Sequence, residues 1–110
     1  FFNNHRIRVS KKNKINECLF VTSGSIDYQF QLPIRKTGCA ALDLAYVACG
    51  RYDGFFQNNL NLWDIAAGLI LIQEAGGLIN EIDLKKINNI KVIAANVDIM
   101  SKFQEKILNF

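Results

Sequence analysis

Asp64 stands beside the only tryptophan, Trp63, where an apolar stretch, residues 61–77 (NLWDIAAGLILIQEAGG), begins to read as a helix. A carboxylate in a first helical turn sits at the positive end of the helix dipole. There it can stabilise the helix or hold a metal ion at the mouth of a site. With Asn61 as N-cap, Asp64 falls at the third helical position, gains about 0.3–1 kcal/mol and can reach back to the cap amide. A divalent metal needs several more oxygen ligands around the same point. The other acids (Glu17, Asp27, Asp43, Asp53, Glu74, Glu81, Asp83, Asp98 and Glu105) show no paired spacing that supplies them. Read from the residues alone, capping is the favoured role.

A second candidate is Gly38-Cys39-Ala40, which opens another apolar helix. Small residues at a helix start leave backbone N–H groups free for a hydroxyl or phosphate oxygen of a ligand. The glycine can equally serve a tight strand-to-helix turn. Cys39 has no histidine near it in sequence, so a nucleophilic role is not indicated. Asp43, one turn further on, reads as structural, either buried against a backbone amide or exposed. Gln57 ends a strand shortly before Asp64, so both can face one crevice outside a strand's carboxyl end. His5, the lone histidine, falls in a polar turn and is expected at the surface. No P-loop, dinucleotide glycine fingerprint, HExxH or serine triad is present.

The elements that must hold these residues can be read in order. Residues 6–10 (RIRVS) alternate and predict a half-buried strand, and residues 11–16 a polar turn or short helix start. Residues 18–22 (CLFVT) form a continuous apolar run suited to a buried strand. A break around Gly24 follows, then a loop or irregular strand over 26–33 leading into residues 34–36. Residues 39–49 predict a helix, apolar around most of its circumference and so nearly buried, with Gly50 as its stop. Residues 53–57 read as a strand, 58–61 as a turn and 62–75 as the helix bearing Asp64, stopped by Gly76-Gly77. A strand at 78–82, a polar loop at 85–89, a buried strand at 91–95 and an amphipathic helix at 97–108 close the chain. The last helix places Ile99, Met100, Phe103 and Ile107 on one face. This alternation predicts an α/β fold, a mixed sheet covered by helices, in one domain.

The whole-chain properties set outer limits. A chain of 110 residues suffices for one compact domain. The net charge of +3 is mild, and the lysines at 11, 12, 14, 85 and 86 are scattered, so nucleic acid is not indicated as a partner. No basic and aromatic residues interleave on a predicted sheet face, which also argues against an RNA-binding module. The longest apolar run, 65–72, is far short of the ~20 residues that cross a bilayer. No signal peptide is visible and no membrane association is expected. Cys18, Cys39 and Cys49 lack CxxC spacing and read as reduced core thiols of a cytoplasmic protein. The chain begins at Phe1 rather than Met, which is read as the mark of a piece of a longer protein.

Two stretches, GCAALDLAYVACGRYDGFF and LWDIAAGLILIQEAGG, closely resemble the carboxy-terminal half of the inositol monophosphatase family, especially its bacterial extragenic-suppressor type. That family's second signature, W-D-x-A-A-G followed by E-A-G-G, matches Trp63-Asp64-Ile65-Ala66-Ala67-Gly68 and Glu74-Ala75-Gly76-Gly77. The likeness extends weakly to NNHRIRVS and to KVIAAN.

The resemblance implies the carboxy-terminal half of an α/β/α/β/α layered sugar-phosphatase sandwich. It also implies a Mg2+-dependent phosphomonoesterase acting on inositol monophosphate or another sugar or polyol monophosphate. In such enzymes carboxylates hold more than one Mg2+, which activates water and stabilises the leaving alkoxide. Carried over residue by residue, Asp64 matches a metal ligand that also approaches substrate, and Gly38, Cys39 and Ala40 match a substrate-binding segment. Gln57 stands where the family usually has a glutamate that hydrogen-bonds the inositol ring. Trp63 matches a packing residue. For Asp64 the resemblance reverses the capping preference.

The departures are as informative. The acidic first signature, D-P-x-D-G-T, and its upstream glutamate pair are absent. Cysteine replaces the usual serine or threonine at 39, and the segment between Gly24 and Thr37 is shortened. The expectation is a piece inactive alone, with residues 1–16 an edge segment of a missing amino-terminal half and a homodimer in the intact protein. The rival expectation is a truncated, non-catalytic remnant that serves as an interaction or dimerisation module.

Overall fold

The computed structural model describes residues 7–22, 32–83 and 85–107. A short 3-10 turn at Ile15–Glu17 precedes β1 (Phe20–Thr22) and β2 (Ile34–Lys36). Then come α1 (Ala40–Ala48), β3 (Gly54–Leu60), α2 (Leu62–Glu74), β4 (Gly77–Ile79), β5 (Ile90–Asn96) and α3 (Met100–Lys106). The strands form one mixed sheet in the order β2-β1-β3-β5-β4. β1 runs parallel to β2 and β3, while β5 is antiparallel to both β3 and β4. Strands β1 to β4 therefore point the same way and β5 alone runs back.

Alternation along the strands divides the core in two. Val21, Phe55, Val92 and Ala94 face α1 and α2, meeting Leu44, Val47, Ile65, Leu69 and Ile72. Phe20, Phe56 and Ala95 face α3, meeting Ile99, Met100, Phe103 and Ile107. The rings of Phe20 and Phe103 stack with centroids 4.2 Å apart. The predicted apolar face of α3 is used as the periodicity requires, while α2, read as an apolar helix throughout, buries one face and exposes the other.

α1 and α2 each connect parallel strands, so both run from the carboxyl edge of the sheet back to its amino edge on the same face. They approach closely at Gly68, where a Cβ would stand 2.7 Å from Leu44 Cβ. At the end of α2 the two glycines act for different reasons. Gly76 has φ +88°, the left-handed conformation that ends a helix, with its N–H donating to Gln73 O at 3.2 Å. Gly77 is a matter of room: a Cβ there would stand 2.8 Å from Ile72 and 2.9 Å from Val9 side-chain atoms.

Several boundaries differ from the sequence expectation. Residues 7–10 form no strand; Val9 makes a single bond to the end of α2, its N–H donating to Ala75 O at 3.1 Å. Residues 58–60, expected as a turn, continue β3 through a bulge that inserts one residue against β5 between Gln57 and Leu60. Asn59 takes the left-handed conformation there, φ 56°. β4 stops at Ile79, and the Asn80 side chain extends the ladder instead, bonding Lys91 O at 2.9 Å and Ile93 N at 2.8 Å. α1 is not nearly buried: Ala41 and Leu42 are exposed and Ala45 and Tyr46 half-buried, because only its inner face meets the sheet and α2. The Gly24 break, most of the 26–33 loop and His5 lie outside the described residues.

The amino-terminal segment is stitched across the amino edge of the sheet. Asn96 Nδ2 donates to Ser10 O and Lys12 O, both at 2.9 Å, while its Oδ1 accepts from Ile99 N at 2.9 Å. Asp53 Oδ2 accepts from Leu19 N at 2.7 Å and from the Lys12 ammonium at 3.1 Å. One buried amide and one buried carboxylate thus fix the chain's entry to β1.

Candidate functional site

The carboxyl edge of the sheet gathers the residues that sequence singled out. β2 ends at Lys36, and Thr37 and Gly38 turn the chain into α1 with Cys39 as N-cap. Gly38 has φ +87°, a conformation that side chains other than glycine's seldom adopt. β3 ends at Leu60, and Asn61 is the N-cap of α2. The helix pair sets relative heights. Leu44 packs on Gly68, and each lies four residues, about one turn, after Ala40 and Asp64 respectively. Because the helices run the same way, Ala40 and Asp64 stand level at the sheet's carboxyl edge.

Asp64 is exposed, and its side chain makes no hydrogen bond or ion pair to another described residue. The capping box expected of it does not form. Asn61 supplies no side-chain cap bond, and only the backbone closes the turn, Asp64 N–H donating to Asn61 O at 3.1 Å. Its neighbour Trp63 is 80% exposed, so it does no packing within the described residues. Cys39 is exposed as well and Cys49 half-buried, which leaves Cys18 alone as a core thiol; all three are free. Burial pushes the Cys18 thiol up to about 11, with the charge of Asp53 adding to the effect.

Gln57 is buried rather than facing an open crevice. Its Oε1 accepts the Thr22 hydroxyl, and its Nε2 donates to Asn58 O at 3.2 Å. Asp43 is fully buried in the first turn of α1, with the Thr37 hydroxyl 2.6 Å from each of its carboxylate oxygens. Desolvation raises the Asp43 carboxyl above its ordinary value, and the Thr37 hydrogen bond partly opposes this. Thr37 N–H in turn donates to Thr22 O at 3.1 Å. Thr22 and Thr37 were not singled out in sequence. The available signal was their position, hydroxyl residues at the carboxyl ends of two strands that prove to be neighbours.

The edge therefore presents a free carboxylate, a level helix start and a polar network beneath them. No three His, Cys, Asp or Glu side chains among the described residues cluster closely enough to hold a metal. Among the described residues, Asp64 stands at this edge as an exposed carboxylate outside any such cluster.

The inositol monophosphatase family model matches residues 1–109. The chain belongs to the inositol monophosphatase family. It is 41% identical over 97 residues to a fructose-1,6-bisphosphatase/inositol-1-monophosphatase of Thermotoga maritima, covering 80% of this chain and 38% of that protein. It is 35% identical over 117 aligned positions to a putative Nus factor SuhB of Neisseria meningitidis, covering 91% of this chain and 45% of that protein. Among solved structures, the extragenic suppressor protein SuhB of Bartonella henselae superposes with a TM-score of 0.81 at 37% identity. That match takes in 98% of this chain and 49% of that one. The inositol monophosphatase fold expected from the signatures is thus the fold observed, and the chain spans about half the length of the relatives it matches.

Proposed function

We propose that this chain is the second-signature half of a Mg2+-dependent phosphomonoesterase acting on inositol monophosphate or a similar sugar or polyol phosphate. Family membership supports phosphatase chemistry. The observation that carries the finer reading is the Asp64 carboxylate, exposed at the positive end of α2, bonded to no described residue and level with the start of α1. In the proposed site Asp64 contributes one ligand oxygen, and Gly38, Cys39 and Ala40 present the α1 amino end to substrate oxygens. Gln57 supports that turn from below. Mg2+, when bound, supplies Lewis-acid activation of water and of the phosphate oxygens. The remaining ligands, in the family's D-P-x-D-G-T element and upstream glutamates, have no counterpart in this chain.

The 110 residues alone are then inactive, because one carboxylate cannot hold paired cations. The assay is inositol monophosphate hydrolysis with Mg2+, first by this chain and then with the acidic half supplied as a second polypeptide. Ordinary turnover by the chain alone would overturn the division of labour. In the complemented enzyme Asp64→Asn should lower activity by about two orders of magnitude or more. Its thermal midpoint should stay put, since the side chain is exposed and bonded to nothing described. Wild-type activity in that variant would remove Asp64 from the site.

A second reading, a non-catalytic interaction or dimerisation module, is favoured by the exposed apolar side chains. Trp63, Ile70 and Leu42 are 80%, 56% and 47% exposed on the outer faces of α2 and α1. One relative also bears the name of a Nus factor rather than of a phosphatase. The coding region before Phe1 separates the readings: an in-frame D-P-x-D-G-T element favours the hydrolase, and a start codon directly before Phe1 favours the remnant.

A further inference from the structure

We infer that Thr37 and Asp43 form a positioning latch that fixes the Gly38-Cys39-Ala40 turn and, through Thr22, ties it to Gln57. The inference rests on the proposed reading of those residues as substrate-facing and supporting, and adds the residues that set their geometry.

The turn is closed from both sides. Asp43, in the first turn of α1, holds the Thr37 hydroxyl 2.6 Å from each carboxylate oxygen, while its own N–H donates to Cys39 O at 3.0 Å. Gly38, at φ +87°, and Cys39 lie between these two bonds. On the other side, Thr37 N–H donates to Thr22 O at 3.1 Å, and the Thr22 hydroxyl donates to Gln57 Oε1. A continuous path of hydrogen bonds thus runs from β3 through the end of β1 and the end of β2 into α1. Thr22 and Asp43 are fully buried and Gln57 is 8% exposed, while Thr37, which joins them, is exposed at the edge.

The arrangement is not an ordinary helix cap. The N-cap residue, Cys39, makes no side-chain cap bond. Asp43 directs its carboxylate to a hydroxyl outside the helix, although a buried carboxylate is held against its desolvation cost. A neutral or apolar residue would satisfy α1 alone. What the acid and hydroxyl add is a fixed angle between β2 and α1 at the one glycine that must bend, referenced to Gln57 three elements away.

The test uses the 110-residue chain, labelled with 15N, and four variants: Thr37→Val, Asp43→Ala, Asp43→Asn and the Thr37→Val/Asp43→Ala double. Thr37→Val and Asp43→Ala should each speed amide exchange at Thr37 and Asp43 by about tenfold or more. Each should also shift the Gly38, Cys39 and Ala40 amide signals together with the Gln57 side-chain NH2 pair. Asp43→Asn, which keeps an acceptor for the hydroxyl, should restore the wild-type pattern, and the double variant should go no further than either single one. A helix that merely loosened would shift α1 signals and leave the Gln57 side chain where it was. That result, or equal effects of Asp43→Asn and Asp43→Ala, overturns the latch. If Asp43→Ala does not fold, Thr37→Val and Asp43→Asn still decide the matter. The readout needs no turnover, so its failure removes the latch while the hydrolase reading stands or falls on the assay above.

Discussion

Asp43 and Asp53 are both buried acids, but they are satisfied differently. Among the described residues, Asp53 has an ammonium and a backbone amide, while Asp43 has a single neutral hydroxyl. Asp43's carboxyl is raised above its ordinary 3.8, chiefly by desolvation. A folded state that holds its proton more tightly than the unfolded chain loses stability as pH rises from the unfolded value through the folded one. Asp43→Asn has no such proton to lose. Its stability relative to wild type should therefore rise between about pH 3.5 and pH 6.5, as thermal melts of the two proteins at both values would show. The thiols give a second check. Cys39 is exposed and Cys18 buried with its thiol pushed to about 11. An alkylating reagent at about pH 8 should label Cys39 first and Cys18 only on unfolding, which mass spectrometry of timed digests would reveal. At this scale the sequence exposed Asp64 and the Gly38 turn, because each begins an apolar helix and lies in a stretch that resembles the family. It did not expose Thr22, whose partner Gln57 is 35 residues away and is brought to it only by strand register.

Among the elements, those with a strong apolar period were legible and those shaped by partners were not. α2 ends within a residue of expectation and α3 is found where expected, though it starts three residues later and ends two earlier, since their buried faces repeat at helical spacing. Residues 7–10 alternate as a strand does, yet they join no edge of the sheet: Val9 bonds the end of a helix and Ser10 the side chain of Asn96. The asparagines at 58 and 59 read as a turn, but the β3–β5 ladder resumes beyond them, so they became a bulge. The contact between α1 and α2 gives the sharpest prediction here. Gly68→Ala would place a methyl 2.7 to 2.8 Å from Leu44 side-chain atoms. The helices must part or Leu44 must shift, costing about 1–3 kcal/mol despite alanine's better helix propensity. Chemical denaturation of the variant measures it, and a stabilised protein would refute the close approach that levels Asp64 with the α1 start.

The whole molecule has a finished side and an open one. Its sheet is covered on both faces, while α1 and α2 turn apolar side chains outward and the carboxyl edge carries an acid bonded to no described residue. At the opposite edge, Asn96 satisfies Ser10 and Lys12 carbonyls and the Ile99 amide. Asn96→Ala should lower stability by about 2 kcal/mol or more, since it strands several part-buried groups at once; a urea midpoint unchanged from wild type would show that those bonds carry no weight. Those same bonds join positions 84 and 86 residues apart in the chain. These bonds can form only once β5 has joined the sheet, whereas the Lys12–Asp53 bond spans 41 residues and needs only the start of β3. Sequence separation of this kind slows folding. The stitch between residues 10–12 and Asn96 is therefore expected among the last contacts to form.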